Sequence, residues 1–351
     1  MELAKRLGRI SVLSVFTLVA AGAGPLWAAP QSTTTKTTSA QKAPPKPAAK
    51  APAPRTRTSL TLARSRAAAA ARARAAAADR QLRDAMTARF KRDLLGNLIP
   101  DVRAAAAVIF DPQTGTVLYG ENAHDQRSIA SLTKLMTAVT FIADDPDLTQ
   151  RIAVTRADMK GASVTYIRAG ELVSYNDLLH LTLIASDNAA ARVLARTAEG
   201  GTAAFVTRMN AMATELGLTN THYTDPSGLD SNNVSSAYDL SHLIAFAAGD
   251  ETLGTIMRTS EYQVQTSQRA INVHSTNRLL GSGIDVVGGK TGFISKAGYC
   301  LATLLRVPQG PQVAVVILGA ANSTARFWEA RHLFNWIVGR SQGLVGGDEE
   351  K

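Results

Sequence analysis

The run Ala104-Ala105-Ala106-Ala107-Val108-Ile109-Phe110-Asp111-Pro112-Gln113-Thr114-Gly115-Thr116-Val117-Leu118-Tyr119 sets the architecture of this chain. From Arg103, small residues grade into branched ones and then into Phe110, which suits a strand packed between neighbours. Asp111 to Gly115 holds turn formers and Thr116 to Tyr119 returns, so the segment predicts a hairpin. A second cluster of the same kind lies late in the chain. Asp285-Val286-Val287 runs into Gly288-Gly289, Cys300 to Arg306 follows, Pro308-Gln309-Gly310-Pro311 turns, and Val313 to Leu318 returns. Between the clusters, Leu132 to Ile142, Tyr175 to Ala198, Ala203 to Leu216 and Ala237 to Ala248 repeat apolar residues at helical spacing. Ser323 to Val338 reads as a closing helix carrying Phe327, Trp328, Phe334 and Trp336. Strands, helices, strands and a helix predict an α/β (α+β) fold, with an antiparallel sheet flanked by helices and an inserted helical subdomain.

Composition divides the rest of the chain. Residues 1–28 read as a cleaved secretory signal: Lys5, Arg6 and Arg9 precede an apolar run from Ile10 to Ala23, and Leu26-Trp27-Ala28-Ala29 offers small residues for cleavage. That run is too short to cross ~30 Å of hydrocarbon. Residues 29–95 form a basic region. Up to about residue 57 it is low-complexity Thr, Lys, Pro and Ala, a solvated linker. From about residue 60 Ala and interleaved Arg make a strong helix former, with no apolar stripe before Leu82 and Met86. Such a helix is a spacer, or lies along an anionic surface. Order is expected from near Leu94, and 96–345, some 250 residues, can bury one domain's core. Residues 346–351 form an acidic tail.

The net charge of +10 misleads unless it is divided. Residues 31–95 carry 15 Lys+Arg against 3 Asp+Glu, a balance of +12, whereas 96–351 carry 20 against 24, a balance of −4. The basicity belongs to the tail. A histone-type or other nucleic-acid role suits the Lys- and Pro-rich stretch from Lys42 to Pro52, but the signal would export it away from the genome. The single cysteine, Cys300, excludes an internal disulfide, and its apolar surroundings predict a buried, inert thiol. The histidines (His124, His180, His222, His242, His274, His332) lack metal-ligand spacing, and no nucleotide loop occurs, so no cofactor or metal is implied.

Three short clusters carry chemistry. Ser131-Leu132-Thr133-Lys134 opens a helix, and residues three apart on a helix share a face, ~5–6 Å between Cβ atoms. A lysine desolvated among apolar groups can lose its proton and act as the base that a serine nucleophile needs. The helix start also turns backbone N–H groups toward a developing oxyanion. Ser186-Asp187-Asn188 ends the apolar stretch from Leu178 to Ala185. Its hydroxyl can relay a proton, and the Asn188 amide offers a donor and an acceptor to a substrate peptide. Lys290-Thr291-Gly292 suits carboxylate binding on an edge strand, with Gly292 admitting an extended substrate backbone. Each alone has a plain structural reading: a chance helical pair, a cap or turn, a hairpin turn. A non-catalytic binding module would have no use for all three in this order.

The ordered set S-x-x-K, S-D-N and K-T-G, separated by 55 and 104 residues, resembles that of the penicillin-recognising serine enzymes. The resemblance covers about residues 96 to 340. It is closer to the low-molecular-mass D-alanyl-D-alanine peptidases, and within them to endopeptidases of the penicillin-binding protein 7 type. Arg127 to Ala138, Asp225-Pro226-Ser227-Gly228-Leu229, Ser275 to Leu280, and Gly289 to Ile294 leading to Ala297-Gly298-Tyr299-Cys300 carry it. It implies a β-lactamase/DD-peptidase-like fold, with Ser131 acylated, Lys134 its base and Ser186 a proton shuttle. Asn188 would hold the substrate, Lys290, Thr291 and Gly292 would face its carboxylate, and the backbone N–H groups of Ser131 and Phe293 would form the oxyanion hole. Asn277 and Asp225 would be positioning and turn residues. Lys296 departs from the acid found there in the endopeptidase type.

The implied partners are peptidoglycan peptide stems, β-lactams as acylating inhibitors and, for the tail, an anionic envelope surface; the implied location is the periplasm. Glu199 and Glu215 do not sit in the Glu-x-x-Leu-Asn setting of a class A β-lactamase, which disfavours that activity. The carboxypeptidases of this family usually add a second β-domain and an amphipathic anchor. The short acidic ending here favours an endopeptidase over a pentapeptide-trimming carboxypeptidase.

Overall fold

The computed structural model describes residues 57–345. The expected signal, the low-complexity linker up to residue 56 and the acidic tail lie outside them. The chain divides into Met1–Thr61 and Leu62–Lys351, and the second unit carries everything below except the first turn of helix α1. That helix, Arg57–Ala85, follows from its Ala and Arg content. Its side chains from residue 66 to 80 are exposed.

Short strands β1 (Phe90–Arg92) and β2 (Leu98–Pro100) then pair as a hairpin. Asp93 closes its turn, its Oδ1 accepting from the amides of Leu95 and Asn97 at 2.9 and 2.8 Å. The expected boundary at 95/96 therefore falls inside a hairpin. The signal for these strands is weak because each is only three residues long and largely exposed.

Strands β3 (Ala106–Asp111) and β4 (Thr116–Glu121) form the predicted hairpin. Strand β5 (Arg127–Ser128), a 3-10 turn at Ala130–Leu132 and helix α2 (Thr133–Ile142) follow. The helical block continues with β6 (Arg151–Ala153), α3 (Arg156–Met159), β7 (Leu172–Ser174), α4 (Tyr175–Leu183), α5 (Asn188–Thr197) and α6 (Gly201–Glu215). Next come β8 (Val234–Ser235), α7 (Ala237–Gly249), α8 (Glu251–Arg258) and the hairpin of β9 (Glu261–Gln265) with β10 (Ala270–His274). The chain returns to the sheet through β11 (Asp285–Ile294), β12 (Gly298–Arg306) and β13 (Gln312–Ala320), and closes with α9 (Ser323–Val345).

The main sheet is antiparallel, in the order β11-β12-β13-β3-β4. Alternation along each strand builds a core on both faces. Val108, Phe110, Val316 and Leu318 face α2, α4, α5 and α7 in one cluster. Ile109, Leu301, Val315 and Ile317 face α9 in the other, meeting Leu333 and Phe334. Helix α2 is buried from Thr133 to Phe141. Leu135, Met136, Val139 and Phe141 join the core, while the buried hydroxyls of Thr133 and Thr137 bond backbone carbonyls at Ala130 and Pro226.

One expected helix is two. The periodicity from Tyr175 to Ala198 runs through a break at residues 184–187, because Ser186 has φ +59° and cannot continue a helix. Asp187 then caps α5, accepting from the Ala190 amide at 2.9 Å. The apolar spacing alone does not register this break. Among the described residues no helix is long and apolar enough to cross a membrane.

Candidate active site

Ser131 lies in the 3-10 turn that starts α2, where the sheet edge meets the helical block. Two constraints hold the turn. Ala130 has φ +50°, a left-handed conformation uncommon for a residue with a side chain. Gly228, with φ +79°, packs so closely that a Cβ there would lie 2.0 Å from the Ala130 carbonyl oxygen. Glycine at 228 is therefore a steric requirement.

Lys134, one turn on, is fully buried. Its Nζ lies 3.0 Å from Ser131 Oγ, 2.6 Å from Asn188 Oδ1 and 2.6 Å from the Ser227 carbonyl oxygen. Burial drives its pKa down to about 7, against the opposing pull of Asp187 and Asp225. A neutral amine has two hydrogens and one lone pair. The two carbonyl oxygens can only accept, so they take both hydrogens and leave the lone pair for the Ser131 hydroxyl.

Asp225 fixes the carbonyl side of that arrangement. Its Oδ1 accepts from the Ser227 and Gly228 amides at 2.6 and 2.9 Å, and its Oδ2 from the Asp230 amide at 2.8 Å. Burial opposes its ionisation, but these bonds, with one from the Ser227 hydroxyl, hold its carboxyl below the usual range. It is a turn residue, as its sequence position suggests. The Ser227 carbonyl itself was not singled out in the sequence, because any residue supplies a backbone oxygen.

Lys290, in β11, is also buried. Its Nζ donates to Ser186 Oγ at 2.8 Å and to the Thr291 carbonyl at 2.9 Å. Burial first, then the neighbouring Lys134 and Arg326, push it well below its ordinary value. Thr291 Oγ1 bonds Thr276 Oγ1 at 2.7 Å. Two hydrogen-bonded groups, Ser131–Lys134–Asn188 and Ser186–Lys290–Thr291, thus come from three distant segments and share the segment Ser186–Asn188.

Two expectations change. Asn188 was read as offering both donor and acceptor to a substrate, but its Oδ1 is taken by Lys134 and one Nδ2 hydrogen by the Ala162 carbonyl at 3.1 Å. Its other Nδ2 hydrogen faces Ser163 Oγ at 3.5 Å, so the amide is engaged within the protein at both ends. A substrate can meet it through the second lone pair of Oδ1 or by displacing the long Ser163 contact. Gly292 was read as making room for substrate backbone. A Cβ at 292 would instead lie 2.9 Å from the Ile129 carbonyl oxygen and 3.2 Å from the Ser131 amide nitrogen. The close approach is between β11 and the serine turn. The neighbouring Phe293 is 49% exposed and stacks on Tyr299, with centroids 4.2 Å apart.

Arg326 of α9 is a supporting residue that the motifs do not disclose. It is buried, donates from Nη1 to the carbonyls of Gly292 and Cys300 at 3.1 and 3.2 Å, and is lowered by desolvation to about 10. It ties the active-site end of β11 to the far face of the sheet. Cys300 is buried, and burial pushes its thiol up to about 11, which leaves it inert at neutral pH. Among the described residues no three His, Cys, Asp or Glu side chains form a metal-binding group.

Residues 95–322 match the D-alanyl-D-alanine carboxypeptidase family. A D-alanyl-D-alanine endopeptidase of Pseudomonas aeruginosa is 33% identical over 243 residues, spanning 68% of this chain and 78% of that protein. The enzyme of the same name from Escherichia coli is 33% identical over 244 residues, with the same coverage of each. Among solved structures, the Streptomyces K15 DD-transpeptidase is similar with a TM-score of 0.65 at 28% identity, covering 69% of this chain and 98% of that one.

Proposed function

The chain belongs to the D-alanyl-D-alanine carboxypeptidase family of serine peptidases, and from that premise we propose that it opens peptidoglycan cross-links as a D-alanyl-D-alanine endopeptidase. The observation that supports its acyl-transfer chemistry is the Lys134 amine, desolvated and held against Ser131 by two carbonyl acceptors.

In the proposed reaction, Ser131 Oγ attacks the carbonyl carbon of the penultimate D-Ala while its proton passes to the Lys134 lone pair. The oxyanion is held by the backbone N–H groups of Ser131 and Phe293. The leaving amine takes its proton from the Ser186 hydroxyl, whose oxygen already accepts from Lys290. Ser186 regains a proton from the Lys134 ammonium, so the proton taken from Ser131 departs with the amine and Lys134 is neutral again for the water step. Lys290 and Thr291 face the substrate's terminal carboxylate, whose charge favours the protonated form of Lys290. Water then attacks the acyl-enzyme, releasing the acid and restoring Ser131. A β-lactam acylates the same oxygen, and its opened ring keeps the leaving amine tethered.

The endopeptidase reading over the carboxypeptidase one is supported by the similarity to the two endopeptidases at 33% identity. The acyl step is common to both; only the leaving amine differs. Digestion of purified cross-linked muropeptide dimers beside free pentapeptide, with products separated, tests it. Monomers from dimers are expected; release of terminal D-Ala from pentapeptide with dimers untouched would make the enzyme a carboxypeptidase. We place it in the periplasm, exported by the segment 1–28, with the basic region 29–95 resting on an anionic envelope surface.

A further inference from the structure

Lys296, the departure in the sequence pattern, lines a cavity of about 420 Å³ whose walls also include Gln126, Arg127, Ser128, Ser231 and Asn232. Each wall continues a segment of the serine site. Ser128 lies three residues before Ser131. Ser231 lies four after Ser227, whose carbonyl holds Lys134. Lys296 lies four after Gly292, which abuts the Ser131 turn. The cavity is therefore lined by continuations of the segments that build the serine site.

The chemistry of this lining is one-sided. It has two cations, neutral polar groups and no carboxylate. Among the described residues, neither Lys296 nor Arg127 stands within ion-pair distance of an acid. Arg127 is half-buried and its guanidinium lies toward Gly319 in the sheet, so it adds positive potential from below. Lys296 is exposed, and its ammonium is the group able to reach a ligand.

Strand order places β11 at the sheet edge. A donor peptide with its terminal carboxylate at Lys290 and Thr291 can lie antiparallel along that edge. At ~3.3 Å per residue, its third residue from the C-terminus comes beside Phe293 and Ile294, and a side chain of about four to six atoms extends to Lys296. We propose that the cavity is a subsite for a donor side chain ending in a carboxylate, and that Lys296 is its specificity-determining residue. The proposal rests on the DD-peptidase reading above.

The test uses the full protein and two soluble thioesters, acetyl-X-D-alanyl-thioglycolate, in which X is L-α-aminoadipyl or its side-chain amide. The thiol leaving group removes any selectivity for the leaving amine. Wild-type protein is expected to favour the acid over the amide in kcat/KM by about 5- to 20-fold, falling with added salt, as a partly enclosed charge contact should. Lys296→Met should lower this ratio toward one, and Lys296→Glu should bring it below one; penicillin labelling of each variant reports that its serine site is folded. Equal kcat/KM for acid and amide in the wild type, or a ratio unmoved by Lys296→Glu, overturns the subsite. Failure to cleave either thioester overturns the DD-peptidase reading instead.

Discussion

The cations of the cleft and those of helix α1 are alike in charge and opposite in setting. Lys134 and Lys290 are buried, held by hydroxyl and carbonyl oxygens, and pushed toward their neutral forms. Arg66, Arg72, Arg74 and Arg80 stand exposed along α1. Desolvation turns an ammonium into a base at neutral pH; exposure leaves a guanidinium as a screened point of attraction whose reach is ~8–10 Å in physiological salt. Position, more than residue type, separates the buried, deprotonable cations from the exposed, permanently charged ones. A net charge taken over the whole sequence mixes the two.

The contrast breaks most sharply at Lys134. Lys134→Ala should lower the rate of penicillin acylation by ~10²–10⁴, the worth of a general base, measured by stopped-flow or gel labelling. In the wild type the acylation rate should rise with pH through about 7, as Lys134 loses its proton. Stability follows the same sign. An unfolded lysine titrates near 10.5, so between about 7 and 10.5 the unfolded chain binds more protons and stability increases with pH. A profile flat from pH 5 to 9 would remove the proposed base.

Gly292→Ala should cost acylation about 10- to 100-fold, because the added carbon meets the Ile129 carbonyl and the Ser131 amide and displaces the nucleophile's turn. Lys290→Ala should weaken kcat/KM about 10-fold or more for donors with a free terminal carboxylate, and less for their amides. Equal losses on both donor types would contradict its carboxylate role. The smallest effect is expected at the exposed end. Removing residues 31–85, which ends with α1 and spares the β1–β2 hairpin, should change the rate on small soluble peptides by less than about 2-fold, since the exposed charges of that segment are screened. It should reduce salt-sensitive binding to whole sacculi or anionic vesicles. A large loss on the small peptide would give the basic region a part in the active site.

Much of this was legible in the sequence, for reasons particular to each region. The hairpin at Ala106–Asp111 and Thr116–Glu121 and the late strands show because their alternation builds two separate core faces. Ser131, Lys134, Ser186 and Lys290 stand out in the sequence because side-chain chemistry at fixed spacing survives in one dimension, and the structure brings Ser131 against Lys134 and Ser186 against Lys290. The break at Ser186 was not, since a positive φ leaves no mark on apolar periodicity. The true reason for Gly292 is a contact with a turn some 160 residues away. Ser227 acts through its backbone and Arg326 through two carbonyls across the sheet, so neither presents a motif.

The central claim is that Ser131 is the acylated nucleophile, and labelled penicillin followed by proteolysis and peptide mass mapping tests it most directly. The expected result is one penicilloyl group per chain, on the peptide containing Ser131, absent from Ser131→Ala and formed far more slowly in Lys134→Ala. Label on Ser186 or any other residue, or unlabelled wild-type protein that still cleaves D-alanyl peptides, would contradict it.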